Sequence, residues 1–148
     1  MKQLFGTHEN RLDAKGRVSV PAAFRKAWSG EPDMTLVLRP SLTPGCVEGW
    51  PLPNYERFTE KAEAYPEADP DGEAYASMVF SEAEEIDIDA QGRIMIPAKL
   101  AACAGLKDTV CFLGRGAYFQ IWTPAGAETF LTQGRERLAK PAVNGVAS

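Results

Sequence analysis

The sequence has little with which to build a metal site, a disulfide framework or a membrane span. Its 148 residues include one histidine, His8, and three cysteines, Cys46, Cys103 and Cys111. An odd, irregularly spaced set with no Cys-x-x-Cys pair is neither a disulfide framework nor a zinc motif. The cysteines are expected as small apolar core residues in a reducing compartment. No apolar run reaches the roughly eighteen residues of a membrane helix. The segment from Met1 to Asn10 is polar and lacks the apolar stretch of a secretion signal, so a cytoplasmic location is expected. No His-Glu-x-x-His, nucleophile elbow, phosphate loop or EF-hand spacing occurs. The acids in Ser81-Glu82-Ala83-Glu84-Glu85 read as a solvated stretch and not as a catalytic pair. An enzyme is not expected, nor are a catalytic residue, a metal, a cofactor or a small-molecule substrate.

Positive charge is also scarce overall, with a net charge of −4, but it is unevenly placed. Residues 1–28 hold Lys2, Arg11, Lys15, Arg17, Arg25 and Lys26 against Glu9 and Asp13, a net of +4. Residues 54–90 hold twelve acids against Arg57 and Lys61, a net of −10. Binding to a polyanion follows the local potential more than the sum.

What the chain does have is an internal repeat. Asp13-Ala-Lys-Gly-Arg-Val-Ser-Val-Pro21 matches Asp89-Ala-Gln-Gly-Arg-Ile-Met-Ile-Pro97, with five of nine positions identical at an offset of 76. Val18 and Val20 exchange with Ile94 and Ile96. Downstream, Trp50 and Trp122 are each followed eight residues later by a phenylalanine, Phe58 and Phe130. Asp-x-x-Gly is turn chemistry: the carboxylate accepts backbone N–H bonds, and glycine takes positive φ without steric cost. Leu12 before the first turn, and Ile86 and Ile88 before the second, are expected to point inward. Arg17-Val-Ser-Val and Arg93-Ile-Met-Ile read as strands of β-branched residues. Met95 breaks the polar side of the second, which suggests a covered outer face, for instance under a neighbouring subunit. Pro21 and Pro97 end those strands and open helices over 22–28 and 98–104, the second stopped by Gly105. Strands are expected over 35–38, 109–113 and 118–122, with a weaker one around Cys46 to Trp50.

Between the repeats, Asn54 is expected to cap a helix from Tyr55 to Tyr65 that Pro66 ends. A second helix opens at Asp69-Pro70-Asp71 and runs to about Ser81. Residues 126–139 read as a weaker helix interrupted by Gly134. The expected organisation is a first repeat over 1–53, connecting helices over 54–82, a second repeat over 83–140 and a frayed tail over 141–148. One repeat alone buries too little apolar surface to be stable, so the two should pack as one pseudo-symmetric unit.

These motifs resemble the MraZ family, regulators found at the start of the bacterial division and cell-wall gene cluster. The resemblance is carried by Phe5-Gly6 with Leu12-Asp13, both Asp-x-x-Gly-Arg segments, Ile96-Pro97-Ala-x-Leu100 and Phe119-x-Ile121-Trp122. It covers nearly the whole chain. The chain departs from the family pattern in the proline-rich Arg39-Pro40-Ser41-Leu42-Thr43-Pro44-Gly45 loop and in a short C-terminal helix. The resemblance implies an α+β fold: an AbrB-like, swapped-hairpin (double-psi-like) β-barrel formed by the two halves, with flanking helices. It implies a homo-oligomeric ring that binds short direct repeats in double-stranded DNA at its own promoter, usually as a repressor, and hence a nucleoid-associated protein. The family's Asp-x-x-x-Arg motif falls on Asp13 with Arg17 and on Asp89 with Arg93.

On that basis Arg17 and Arg93 are the candidates for guanine readout. Lys15 at the turn tip is a phosphate contact, and Gln91 replaces it in the second copy, to read adenine or approach the backbone. Arg11 is a further phosphate contact. Asp13, Gly16, Asp89 and Gly92 are expected to support the turns, because a carboxylate facing phosphate would repel it. The alternative is a protein-binding module, antitoxin-like or a scaffold, since AbrB-like folds also serve as antitoxins.

Overall fold

The computed structural model describes residues 2–29, 31, 34–62 and 69–140. Its chain order is β1 (Thr7–Arg11), β2 (Arg17–Ser19), α1 (Ala22–Ala27), β3 (Thr35–Pro40), β4 (Val47–Pro51), α2 (Leu52–Ala62), α3 (Pro70–Ala76), a π-helical turn (Ser77–Ser81), β5 (Glu84–Asp87), β6 (Arg93–Met95), α4 (Ala98–Cys103), β7 (Thr109–Gly114), β8 (Phe119–Trp122) and α5 (Pro124–Ala139). The first four strands with their helix are thus followed by a second set of four strands around a helix.

The strands pair across the repeats. Six form one antiparallel sheet in the order β1-β7-β8-β4-β3-β5, and β2 and β6 form a separate two-stranded antiparallel ribbon. The entering strand of each repeat pairs with the strand that follows the helix of the other, β1 with β7 and β5 with β3. Exchanging the first four strands for the last four reverses the sheet order and so reproduces it. A pseudo-two-fold axis runs through Val18↔Ile94 in the ribbon and Glu48↔Gln120 in the sheet, where equivalent residues face one another. Among the described residues the six-stranded sheet stays open, with β1 and β5 at its edges, so no closed barrel forms.

The main core lies between the ribbon and one face of this sheet. Val18, Val20, Ile94 and Ile96 from the ribbon side, with Phe24 of α1 and Leu100 of α4, meet Leu36, Leu38, Val47, Phe112, Phe119 and Ile121. The alternation of valines and isoleucines turns one ribbon face inward, as period-two patterning requires. Leu12, Ile86 and Ile88 pack at its margin. Gly49 is required there, because a Cβ on it would lie 2.3 Å from the Phe119 ring.

The opposite face of the sheet carries the other helices. Trp50 meets Phe58 of α2 with ring centroids 4.9 Å apart, and Trp122 stacks on Phe130 of α5 at 4.7 Å. This explains the shared eight-residue spacing: each tryptophan on the last strand of a repeat is covered by the helix that follows it.

Several local expectations are corrected. Helix α2 begins at Leu52, and Asn54 is buried inside it rather than capping it. The amide of Asn54 donates to the Ala117 carbonyl at 2.8 Å, and its oxygen accepts from Arg57. Tyr65 and Pro66 lie outside the described residues, as does the tail over 141–148. The second connecting helix is α-helical only to Ala76, then widens into the π-helical turn. Gly134 does not interrupt α5, which runs unbroken for 16 residues from a Thr123 cap whose hydroxyl accepts from the Gly126 amide. The strand expected to be weak, β4, is buried along its length in the middle of the sheet. Cys46 and Cys111 are core residues, and burial pushes the Cys46 thiol up to about 11, but Cys103 is exposed. Among the described residues no helix is long and apolar enough to cross a membrane, and no cluster of His, Cys, Asp or Glu is placed to hold a metal.

Candidate nucleic-acid interface

The two Asp-x-x-Gly-Arg segments fold alike, because the same side chain closes each turn. The Gly16 amide donates to the Asp13 carbonyl at 3.0 Å, and the Asp13 amide to the Arg17 carbonyl at 3.0 Å. The Asp13 carboxylate organises the turn. Its Oδ1 accepts from the Lys15 and Arg17 amides, each at 2.9 Å, and its Oδ2 from Arg17 Nε at 2.8 Å. In the second copy Asp89 Oδ1 accepts from the Gln91 and Arg93 amides at 2.9 Å, and Oδ2 from Arg93 Nε at 3.0 Å. Gly16 and Gly92 sit at φ of +85° and +79°, where L side chains are strained.

Each carboxylate therefore holds its arginine through Nε and leaves the two terminal guanidinium nitrogens for another acceptor. The pairs are half-exposed, with side-chain exposures of 36% for Arg17 and 37% for Arg93. Ion pairs this open to water contribute little to stability, so their value is in orientation.

The ribbon then sets where the arginines point. Its register is Arg17↔Met95, Val18↔Ile94 and Ser19↔Arg93. With Val18 and Ile94 facing the core, Arg17, Ser19, Arg93 and Met95 share the outer face. Arg17 and Arg93 are diagonal neighbours there, about 7–8 Å apart at their backbones. Amide bonds from Val20 to the Gly92 carbonyl (2.9 Å) and from Ile96 to the Gly16 carbonyl (2.8 Å) extend the ribbon to both turns. The turns thus stand at opposite ends of the ribbon, about 14 Å apart for a four-residue strand span.

A single repeat does not form a projecting hairpin by itself. β1 joins the sheet and β2 joins the ribbon, so the strands flanking each turn pair with different partners. The structure brings Arg17 and Arg93 together, and separates Lys15 from Gln91, each exposed at its own turn. Arg11 is exposed at the last position of β1, opposite Thr109. Met95, expected to lie under a neighbour such as another subunit, is 54% exposed on the single chain, beside Arg17.

One cation was missed by the sequence reading. Arg25 of α1 donates from Nε to the Val20 carbonyl at 3.1 Å. Its guanidinium lies over the second turn, so that a Cβ on Gly92 would come within 2.8 Å of its Cζ and Nε. The signal was in the repeat, where position 101, the equivalent of Arg25, is alanine.

Hydrogen bonding holds both aspartates below the usual carboxylate value of 3.8. The largest cause is the Arg17 amide for Asp13 and the Arg93 amide for Asp89. A carboxylate more acidic in the folded state stabilises the fold fully above its unfolded value and loses that contribution as pH falls through the folded one. Replacing both aspartates by asparagine is therefore expected to lower the melting temperature at neutral pH. The difference from the unaltered protein should begin to shrink as pH falls through about 4 and vanish only below the lower folded-state value, as a series of melting curves would measure.

The chain matches a family model described as MraZ protein, antitoxin-like, over residues 4–76 and 79–146. Each matched stretch holds one Asp-x-x-Gly-Arg segment. Relatives named "Transcriptional regulator MraZ" include one from Gluconacetobacter diazotrophicus, 38% identical over 96% of this chain and 94% of its own length. One from Rhodospirillum rubrum is 41% identical over 86% of this chain and 84% of its own, and one from Rickettsia bellii 32% identical over 86% and 85%.

Proposed function

Because the chain belongs to the MraZ family, and its relatives carry the name of transcriptional regulators, we propose that it regulates transcription by reading double-stranded DNA with the outer face of the β2–β6 ribbon. The observation that carries this reading is that the pseudo-axis sets Arg17 and Arg93 side by side on one open face, each held by its own aspartate. A two-stranded ribbon fits the major groove, which is about 12 Å wide. The free terminal nitrogens of each arginine can donate in parallel to guanine O6 and N7. Met95 offers apolar contact to a thymine methyl. Lys15 meets phosphate at one end of the ribbon, Gln91 meets base or backbone at the other, and Arg11 meets phosphate at the flank.

The target is the set of direct repeats at the promoter of the chain's own operon in the division and cell-wall gene cluster, and the effect is repression. The exchange of β1 and β5 between the halves supports the swapped-hairpin reading of the fold, with 1–53 and 83–140 as the two repeats. A chain of net charge −4 offers few basic contacts at its own ribbon, so affinity comes from several protomers in a ring. Residues 133–139 of α5 and the capping Lys140 are exposed and free to meet a second copy.

An electrophoretic shift series with the DNA upstream of the chain's operon tests this. If four protomers each neutralise about two phosphates, log affinity falls against log salt with a slope of roughly −7. A slope near −1 would rule out multivalent engagement.

The second reading, an antitoxin-like or scaffold module, is favoured by an open groove of about 730 Å³ beside α5, lined by Arg115, Phe130, Leu131 and Leu138. It requires that duplex DNA stay unbound even at low salt.

A further inference from the structure

We infer that Arg25 is a backbone-phosphate contact of the second turn, standing in from the other repeat for the cation that this turn lacks. The inference rests on the DNA-binding reading above. At the equivalent turn positions the first copy has Lys15 and the second has Gln91. At the equivalent helix positions the first copy has Arg25 and the second has Ala101. The two differences compensate in space. Gly92 accepts its ribbon hydrogen bond from Val20, which only Pro21 separates from α1, so the start of α1 lies against the second turn. Arg25 reaches across to cover that turn, where a Cβ on Gly92 would meet its Cζ, Nε and Nη1 at 2.8 to 2.9 Å. The first turn has no counterpart: a Cβ on Gly16 would meet only the Ile96 carbonyl and the Met95 side chain.

The chemistry suits phosphate. Nε is anchored on the Val20 carbonyl, so the guanidinium is fixed before any ligand arrives. No carboxylate among the described residues forms an ion pair with it. A partly buried, pre-positioned guanidinium with its terminal nitrogens unclaimed is a good donor to a phosphate oxygen. Each end of the ribbon then has one recognition arginine on the outer face and one cation at the turn: Arg17 with Lys15, and Arg93 with Arg25. Both halves would engage DNA with equal charge although their turn sequences differ.

The test compares the unaltered protein with Arg25→Gln, Arg25→Lys, Lys15→Gln and the double variant Arg25→Gln/Gln91→Lys. The probes are the upstream duplex and an unrelated duplex of equal length, titrated over a salt series, with melting temperatures measured in parallel. Arg25→Gln is expected to flatten the salt slope by about 0.9 for every engaged protomer, as is Lys15→Gln, and to weaken both duplexes alike. Arg25→Lys should keep most of the slope. Gln91→Lys should restore it in the Arg25→Gln background, which a purely structural role for Arg25 would not allow. A slope unchanged by Arg25→Gln while Lys15→Gln flattens it overturns the inference alone. So does a loss that Gln91→Lys fails to restore. No binding by the unaltered protein at low salt overturns the DNA reading itself.

Discussion

Arg17→Ala is expected to abolish binding to the upstream DNA while leaving fold and assembly intact. The Asp13–Arg17 pair is half-exposed and contributes little to stability, so melting temperature should barely move. A bidentate arginine–guanine contact discriminates by roughly 1–3 kcal/mol, about 5- to 150-fold per motif. In a ring these losses multiply, to at least about 25-fold for two engaged protomers and several hundred-fold for four. The variant also strips the Asp13 carboxylate of its counter-charge at the protein surface, which adds repulsion toward phosphate. Arg93→Ala should behave alike, because the second motif copies the first bond for bond. Arg17→Lys is not conservative: lysine keeps the charge but loses the fork, so it should retain salt-sensitive binding to any duplex and lose preference for the promoter repeats. Gel shifts on specific and unrelated duplexes measure this. A collapsed melting curve for Arg17→Ala would instead make the residue structural.

How much of this the sequence disclosed depends on the range of the physics involved. The turn geometry was legible because it is local: a carboxylate, two amides and a glycine lie within five residues, and the motif occurs twice. The helices after Pro21 and Pro97 were legible for the same reason. Strand pairing was not, since nothing near Arg17 says that β2 leaves β1 and pairs with β6. The outer face of the ribbon, and the exposure of Met95 on it, follow only from that long-range choice. Asn54 reads as a helix cap by type, but its amide is instead used by the distant Ala117 carbonyl. Gly134 reads as a breaker, yet the cost of one helical glycine is only about 1 kcal/mol and α5 tolerates it. Arg25 looks like any surface cation until the ribbon brings Gly92 beneath it. The repeat was the one long-range signal in the text of the chain. Its asymmetries, more than its identities, mark where the two halves were tuned against each other.

The same asymmetry predicts the largest effect on stability. On the sheet face away from the ribbon, Arg39 and Glu48 are paired across β3 and β4 at 2.9 Å, with exposures of 2% and 4%. Glu48 also accepts from Trp50 Nε1 at 2.9 Å and from the Ser41 hydroxyl at 2.6 Å. Arg39 lies over the rings of Tyr55 and Phe58. In the second repeat the matching ladder pair is Leu113 with Gln120, and Gln120 accepts from Trp122 Nε1 at 3.0 Å. One half meets its tryptophan with a buried ion pair, the other with a neutral amide and a leucine. Removing one charge of a buried pair leaves the other uncompensated and costs about 3–5 kcal/mol, whereas replacing both by neutral groups of similar size is often close to neutral. Glu48→Gln and Arg39→Leu are each expected to lower the melting temperature by roughly 6–20 °C for a chain of this size. The double variant, which copies the Leu113–Gln120 pair of the other half, should recover most of that loss. DNA affinity of the folded variants should be unchanged, because the ribbon lies across the main core from this pair. Melting temperatures of the three variants settle it: additive losses in the double variant would show that the two charges act independently.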